Sequence, residues 1–280
     1  MATKTALAVS DALYLKPLLQ GLSDPSSPFS LNFDIPAQNA LKLAGRIDGT
    51  ACAFLSPIDY ARHGGEFSAV PTVGVSSTQK TDTIQLFVKS DVRNVLTIAV
   101  DVRVTSEIIL AKIILSEKFR NLSAKESRFQ FIPMLPDVER MLKKADAALV
   151  VNSPPSSNTQ DWFTLDLVEE WNDLTDLPYI HGFWVAREGD MASVEVQHLI
   201  DSKQKGVKQL EKIAGDAAIQ FNISKETCTS YLSSFSYELG TLEQESISEF
   251  LRYSFFHGVI GDIPELNFFD PSPISRGEIH

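Results

Sequence analysis

Small hydroxyl residues stand at three points where a predicted strand gives way to a predicted helix or turn. They are Ser10, Ser56 and the adjacent pair Thr105 and Ser106. Parallel α/β sheets bind ligands at the carboxyl ends of their strands, where the first amides of each following helix are unpaired. A hydroxyl beside such amides suits a carboxylate, so these junctions are candidate anion sites. Ser and Thr are also the usual helix caps, and this alternative stays open at each junction.

Familiar catalytic and cofactor motifs are absent from this sequence. It has no GxGxxG or Walker loop and no GxSxG nucleophile elbow. Its histidines lack the paired spacing with Cys, Asp or Glu that metal sites show: His63, His181, His198, His257 and His280. Core packing is the favoured role of the three tryptophans, Trp162, Trp171 and Trp184. We therefore expect neither a metal nor a cofactor.

Charge and composition narrow the choice of partners. The 280 residues carry a formal net charge of −11, which argues against a nucleic-acid partner and against binding to an anionic membrane surface. A local site can still be positive, so a small anionic ligand is compatible with this charge. The chain has only two cysteines, no apolar run long enough to span a bilayer and no signal-peptide pattern at residues 1–15. These features favour a soluble cytoplasmic protein.

The stretch 161–187 predicts one complete α/β step. Leu167, Val168, Trp171 and Leu174 form an apolar stripe, and Asp166 is suited to cap the start of that helix. Pro178 ends the helix, and the apolar residues 179–185 then predict a buried strand.

Similar patterns predict alternating strands and helices over most of the chain. Strands are predicted at 5–9, 31–35, 49–55, 72–76, 83–88, 95–100, 129–133 and 147–151, and helices at 37–44, 107–119, 137–144, 205–221, 225–233 and 242–256. A helix or turn is predicted at 13–22, a helix start at Ser56-Pro57, and a loosely structured tail at 269–280. This alternation indicates an α/β fold with a largely parallel sheet and helices on both faces.

Five segments of the chain resemble a known family in order and spacing. They are residues 10–22 (SDALYLKPLLQGL), 49–63 (GTACAFLSPIDYARH), 145–153 (ADAALVVNS), 161–187 and 235–240 (FSYELG). Together they resemble the chorismate dehydratase family of the futalosine route to menaquinone. The resemblance spans nearly the whole chain.

The resemblance implies a fold and an activity. It implies two α/β lobes of the type II periplasmic-binding-protein fold, with 1–92 and 188–280 in lobe one, 93–187 in lobe two and the ligand in the cleft between them. The chain would cross between lobes near 89–94 and 179–187. The implied reaction removes water from chorismate, a dicarboxylate, to give 3-[(1-carboxyvinyl)oxy]benzoate. It leaves the catalytic residue unidentified, since a carboxylate of the substrate could serve as the base.

The resemblance also places substrate-binding residues in the cleft. They are Ser10, Tyr14, Ser56, Ser76, Arg103, Thr105, Ser106 and Asn152. Four places depart from the family's usual residues: Tyr14, Gln79, Arg103 and the pair Asn152-Ser153. Arg103 is notable because a guanidinium pairs bidentately with a carboxylate, although a surface Arg at a strand end is an equal alternative.

Two functional hypotheses therefore stand at the level of sequence. One is a chorismate dehydratase with an altered pocket. The other is a non-catalytic binding protein, or a paralogue that acts on another small carboxylate. The second gains weight if Tyr14 and Arg103 both point into the cleft and fill the position where the family holds its substrate. The sequence makes no prediction of oligomeric state.

Overall fold

The structure is a computed structural model that describes residues 4–63, 65–89, 95–118, 129–151 and 162–270. Its strands are β1 (Thr5–Val9), β2 (Phe29–Phe33), β3 (Thr50–Leu55), β4 (Ser68–Ser77), β5 (Ile84–Val88), β6 (Thr97–Asp101), β7 (Gln130–Met134), β8 (Ala147–Val151), β9 (Phe163–Asp166), β10 (Tyr179–Ala186) and β11 (Asn267–Phe268). Its α-helices are α1 (Pro36–Gly45), α2 (Pro57–Ala61), α3 (Ser106–Glu117), α4 (Val138–Lys144), α5 (Leu167–Thr175), α6 (Ser193–Val207), α7 (Leu210–Phe221), α8 (Lys225–Ser233) and α9 (Thr241–Phe256). Short 3-10 helices occupy Leu13–Leu19 and Ile47–Gly49.

Two sheets form the centres of two lobes. The six-stranded sheet has the order β11-β4-β10-β3-β1-β2, and the five-stranded sheet has the order β7-β6-β8-β5-β9. In each sheet a parallel group, β2-β1-β3 or β7-β6-β8, adjoins one strand that runs antiparallel to it, β10 in the first sheet and β5 in the second. The expectation of a largely parallel sheet was therefore wrong at β5 and β10, each of which runs antiparallel to both of its neighbouring strands. A parallel neighbour requires a long crossover within one sheet, whereas β5 and β10 enter their sheets directly from the other lobe.

The chain changes sheets earlier than the predicted lobe boundaries. It passes from β4 to β5 through residues 78–83, and it returns from α5 to β10 through residues 176–178. The predicted division at 92 and 93 placed β5 with lobe one, although β5 pairs with β8 and β9 of the five-stranded sheet. The predicted return at 187 placed β10 with lobe two, although β10 pairs with β3 and β4. An apolar strand fits either sheet, so its composition does not identify the lobe that receives it.

Asp166 holds both crossing segments in place. Its Oδ1 accepts hydrogen bonds from the amides of Val168 and Glu169, which confirms its predicted role as the cap of α5. Its Oδ2 accepts from the amides of Thr81 and Asp82, at 3.1 and 2.7 Å, in the outgoing crossing segment. One buried carboxylate therefore ties the start of α5 to the passage between the lobes.

One of the apolar clusters reaches into both lobes. It includes Ala53 and Val185 of the six-stranded sheet as well as Leu86 and Leu149 of the five-stranded sheet. Helix α9 contributes Phe250 to this core. As predicted, α3 is buried on more than one side, by Ile109, Leu110, Ala111, Ile113, Ile114 and Leu115.

The segment after β10 differs most from the sequence prediction. A single helix was predicted at 205–221, but the chain forms α6 and α7 with a break at Lys208 and Gln209. The buried face of α6 includes Ser202, Lys203 and Gly206, so it lacks an apolar periodicity that would reveal it. At Gly206 the helix approaches the backbone of Pro17 so closely that a Cβ would lie 1.8 Å from the Pro17 carbonyl oxygen.

Two further observations bear on sequence predictions. Most of the tail predicted at 269–280 lies outside the described residues, which end at Asp270 just after β11. In the part of the chain that the structure describes, no helix has the length and apolar content needed to cross a bilayer.

Candidate functional site

A cavity of about 340 Å³ lies between the two lobes. One wall comes from the carboxyl ends of β1 and β2, and the other from the carboxyl ends of β6 and β8. The lining residues are Ser10, Asp11, Ala12, Tyr14, Phe33, Asp34, Ile35, Pro36, Asp101, Arg103, Val104, Glu107 and Val151. Its position follows the general rule for ligand sites in α/β sheets, and its volume is that of a small-molecule site.

Three of the eight predicted site residues line this cavity. They are Ser10, Tyr14 and Arg103. Ser56, Ser76, Thr105 and Ser106 are not among its lining residues, although Ser56, Thr105 and Ser106 do begin helices, as expected. Asn152 lies outside the described residues, next to the lining residue Val151.

The hydroxyls of Ser56 and Thr105 bind a carboxylate that belongs to the protein itself. Both donate to Oδ2 of Asp59, each at 2.8 Å, and the Asp59 amide donates back to Ser56 Oγ. Asp59 is 3% exposed, so this arrangement is internal to the protein. The carboxylate that these hydroxyls bind is therefore Asp59, and it joins α2 of one lobe to the start of α3 in the other.

Ser106 and Ser76 have internal partners as well. Ser106 is 1% exposed, and its Oγ lies 3.3 Å from the hydroxyl of Tyr179. Ser76 exchanges backbone hydrogen bonds with Ser236 and donates from its hydroxyl to Glu243 at 3.4 Å. Ser76 lies with Gln79 at a separate surface depression beside α9, away from the interlobe cavity.

Tyr14 belongs to an aromatic cluster at the side of the cavity. Its ring stacks on Phe235 and is tilted against His181, with centroid distances of 5.2 Å in both cases. His181 Nε2 lies 2.8 Å from Ser77 Oγ. Burial lowers the pKa of His181 to about 3, so its imidazole is neutral at physiological pH. Burial also raises the pKa of Tyr14, which therefore stays protonated.

Arg103 already has a carboxylate partner. Its Nε lies 2.8 and 3.0 Å from the two oxygens of Asp101, which is fully buried at the end of β6. The Asp101 side chain also accepts from the Arg103 amide, and its carboxylate raises the pKa of the guanidinium. The guanidinium thus pairs with a carboxylate of the protein, and the predicted contact with a carboxylate of the ligand stays a prediction. The Arg103 side chain remains half-exposed at the cavity.

Two other acids of the cavity wall are also paired. Asp11 forms an ion pair with Lys16, whose ammonium lies 5.5 Å from the centre of the Phe33 ring. Asp34 pairs with Lys42 at 3.1 Å, and bonds from the Ile35 amide and from Lys42 lower its pKa. These pairs compensate much of the negative charge of the wall.

Glu107 is the fourth acidic residue that lines the cavity. It lies in the first turn of α3, is partly exposed at the cavity, and accepts a hydrogen bond at Oε2 from the Thr105 amide at 3.2 Å. Burial raises its pKa to about 7, and the nearby charges of Asp59 and Asp101 add to this effect. Its carboxyl group therefore exists in both protonation states near neutral pH.

The hydroxyl of Ser10 accepts a hydrogen bond from a buried side-chain amide. Asn39 is fully buried in α1, and its Nδ2 donates to Ser10 Oγ at 3.3 Å. With its oxygen accepting this bond, the Ser10 hydroxyl can direct its hydrogen towards a ligand in the cavity. Among the described residues there is no cluster of three His, Cys, Asp or Glu side chains that could hold a metal ion.

Sequence reasoning missed the acids of this site: Asp11, Asp34, Asp101 and Glu107. The signal was available, because all four lie within a few residues of a strand's carboxyl end or of the next helix start. The anion sites predicted at these junctions consist of hydroxyl residues, so the acids are not among them. The cavity combines a hydroxyl donor, paired charges and one carboxyl group able to exchange protons near neutral pH.

Comparisons with known structures show the same fold in several proteins. Protein AF1704 from Archaeoglobus fulgidus matches with a TM-score of 0.71 and 14% identity, over 92% of this chain and 99% of that chain. The periplasmic aliphatic sulphonate binding protein SsuA from Escherichia coli matches with a TM-score of 0.65 and 11% identity, over 100% of this chain and 96% of that chain. The alkanesulfonate-binding protein SsuA from Xanthomonas axonopodis pv. citri, bound to MOPS, matches with a TM-score of 0.60 and 13% identity, over 94% and 95% of the two chains.

These similarities confirm the predicted two-lobed fold of the periplasmic-binding-protein type. At such low identity they show the fold alone. The family is shown by a different comparison, in which the family model described as menaquinone biosynthesis matches residues 6–255. Because this match covers most of the 280 residues, the chain belongs to the menaquinone biosynthesis family.

Proposed function

We propose that this protein is a chorismate dehydratase, a hydro-lyase that acts in the cytoplasm. The observation that carries the proposal is the family match over residues 6–255, in a chain whose five quoted segments resemble chorismate dehydratases. The reaction converts chorismate to 3-[(1-carboxyvinyl)oxy]benzoate and water. It makes an aromatic ring, so the enzyme needs chiefly to orient the substrate and to move one proton.

The charges around the cavity support a dicarboxylate ligand. Lys16 stands beside the cavity on one lobe, and Arg103 lines it on the other. Each cation forms an ion pair with an aspartate. An approaching carboxylate therefore encounters an ion pair and not an isolated negative charge. The hydroxyl of Ser10 adds a neutral donor on the wall of lobe one. A ligand with one carboxylate near each cation would bridge the lobes.

A second function has its own supporting observation. Tyr14 and Arg103, which depart from the usual family residues, both line the cavity. The hydroxyls of Ser56 and Thr105 are already bound to Asp59. This arrangement favours a pocket for a different small carboxylate, either bound without reaction or converted by a paralogous enzyme. The sulphonate-binding proteins with the same fold are examples of small-anion binders.

One experiment separates the two functions. Purified protein is incubated with chorismate, and mass spectrometry is used to look for a product lighter by one water. The dehydratase proposal expects this product to form in proportion to enzyme concentration, above a control without enzyme. The proposal is overturned if no product forms while another small carboxylate raises the melting temperature, because a ligand stabilises the state that binds it.

A further inference from the structure

Asn39 is a fully buried polar residue that lies beside the cavity without lining it. It belongs to α1, and its side-chain nitrogen has two acceptors: Ser10 Oγ at 3.3 Å and the backbone carbonyl oxygen of Asp34 at 3.5 Å. Its side-chain oxygen, Oδ1, is buried and has no hydrogen-bond partner among the described residues. An unsatisfied buried oxygen costs free energy, so the orientation of this amide needs a physical reason.

The backbone carbonyl of Asp34 supplies that reason. A carbonyl oxygen can only accept a hydrogen bond. If the Asn39 amide were turned over, its Oδ1 would face the Asp34 carbonyl oxygen, and two acceptors would oppose one another. The nitrogen of Asn39 therefore stays between Asp34 and Ser10, and Ser10 Oγ accepts the bond that this nitrogen donates.

This bond determines which role is left to the Ser10 hydroxyl. A hydroxyl carries one hydrogen and two acceptor lone pairs, and Asn39 occupies one of these lone pairs. Within the described ranges the hydrogen of Ser10 has no protein acceptor, and the residue is partly exposed and lines the cavity. The hydrogen is therefore available to a ligand there. A carboxylate oxygen, which only accepts, makes full use of this donor, whereas a ligand N–H would leave it unused.

We infer that Asn39 is a positioning residue that makes the Ser10 hydroxyl a donor and thereby favours a carboxylate at this point of the cavity. The inference rests on the proposed function for its ligand, a dicarboxylate, and adds a residue that touches no ligand itself. Asn39 acts on a contact that the bound substrate and the transition state share. Its loss should therefore raise KM and leave kcat nearly unchanged.

A double-mutant cycle tests whether Asn39 acts through Ser10. The variants are Asn39→Leu, Ser10→Ala and the two combined, since leucine has nearly the shape of asparagine and no polar side-chain atom. Calorimetry measures the dissociation constant of 3-[(1-carboxyvinyl)oxy]benzoate, and turnover of chorismate gives KM and kcat. The matched control is Thr50→Val, because Thr50 is also buried, does not line the cavity and has a hydroxyl without a partner in the part of the chain that the structure describes.

We expect Asn39→Leu to weaken binding of the benzoate product by about 3- to 10-fold and to raise KM by a similar factor, with kcat changed less than about twofold. In the Ser10→Ala background the same substitution should change the dissociation constant less than about 1.5-fold, because the hydroxyl that Asn39 orients is gone. Thr50→Val should match the wild type in binding and turnover. A purely structural role of Asn39 would instead give equal losses in both backgrounds.

The possible results distinguish this inference from the function on which it rests. If the wild-type protein neither converts chorismate nor binds the product, both fail. If it binds the product without turnover, the dehydratase proposal alone fails, and the binding cycle decides the role of Asn39. If it is active and Asn39→Leu weakens binding equally in both backgrounds, or in neither, this inference alone is overturned. If Asn39→Leu does not fold, Asn39→Ala replaces it in the same cycle with the same criteria.

Discussion

The hydroxyl residues at the helix starts show what a residue type determines and what its neighbours decide. Ser10, Ser56, Thr105 and Ser106 all have the donors that an anionic ligand needs. Only Ser10 lines the cavity, and the other three bond to Asp59 or Tyr179. A hydroxyl with a good internal acceptor contributes to stability, whereas one at a cavity surface remains available to a ligand.

The structure changes the expectation for Ser106. From sequence, Ser106→Ala should weaken ligand binding by about 1 to 2 kcal/mol, the loss of a charge-assisted hydrogen bond. Because Ser106 is buried against the Tyr179 hydroxyl, we now expect Ser106→Ala to lower the free energy of unfolding by about 1 to 3 kcal/mol. The dissociation constant of the benzoate product should change less than about twofold.

Ser10→Ala provides the comparison for that experiment. It removes a hydroxyl that lines the cavity, so it should weaken binding by about 1 to 2 kcal/mol with little effect on stability. Urea denaturation and calorimetry on the two variants measure both quantities. A tenfold weaker dissociation constant in Ser106→Ala would return Ser106 to the binding site.

At the scale of elements, Asp166 illustrates how one local feature acquires a second, distant role. Its position before an apolar helix was enough to predict a cap. Its bonds to Thr81 and Asp82 join that cap to a segment that lies far away in the sequence. The four amides it satisfies belong to both the start of α5 and the passage between sheets.

Removal of Asp166 should therefore cost more than removal of an ordinary cap. We expect Asp166→Ala to lower the free energy of unfolding by about 3 kcal/mol or more, because four amides lose a carboxylate partner at a buried site. The control is Asp137→Ala, which removes the exposed cap of α4 and should cost about 1 kcal/mol. Chemical denaturation gives both values. Equal losses would show that the bonds to residues 81 and 82 contribute nothing to stability.

At the scale of the whole molecule, α9 links the two lobes outside the crossing segments. Trp171 of α5 packs edge-on against Phe250 and Tyr253 of α9, with ring centroids 5.6 and 5.8 Å apart. Its indole nitrogen donates to Ser246, and Ser246 in turn donates to the carbonyl of Pro178 in the returning segment. A helix that comes late in the chain thus packs on lobe two and on the return to lobe one.

This arrangement predicts a large effect of Trp171→Ala. The side chain is fully buried in the core shared by the lobes, so its loss should lower the free energy of unfolding by about 3 to 5 kcal/mol. Trp162→Ala is the matched control, because Trp162 is only partly buried and packs against a smaller cluster that includes Phe87. We expect the control to lose less than half as much in urea denaturation. Similar losses for the two variants would contradict a special role for α9.

The sequence by itself determined most of the local structure. The bounds of β1, β8 and α8 were predicted as found, as were the cap at Asp166 and the Ser56-Pro57 start of α2. The two-lobed fold followed from the resemblance of five segments to a known family. Apolar periodicity and caps act over a few residues, so a strand or helix can be predicted without its neighbours. α6 was missed because its buried face is partly polar.

Only the tertiary structure decided which side chains meet. Thr105 and Ser56 share Asp59, and Asp166 joins two segments, through bonds between residues far apart in the chain. Pairing between strands that are distant in the sequence likewise decides that β5 lies in the five-stranded sheet and β10 in the six-stranded sheet. Local periodicity carries no information about these partners, because each contact depends on how two lobes approach one another. The same approach places Glu107 at the cavity wall, where burial, and after it the charges of Asp59 and Asp101, raise its pKa.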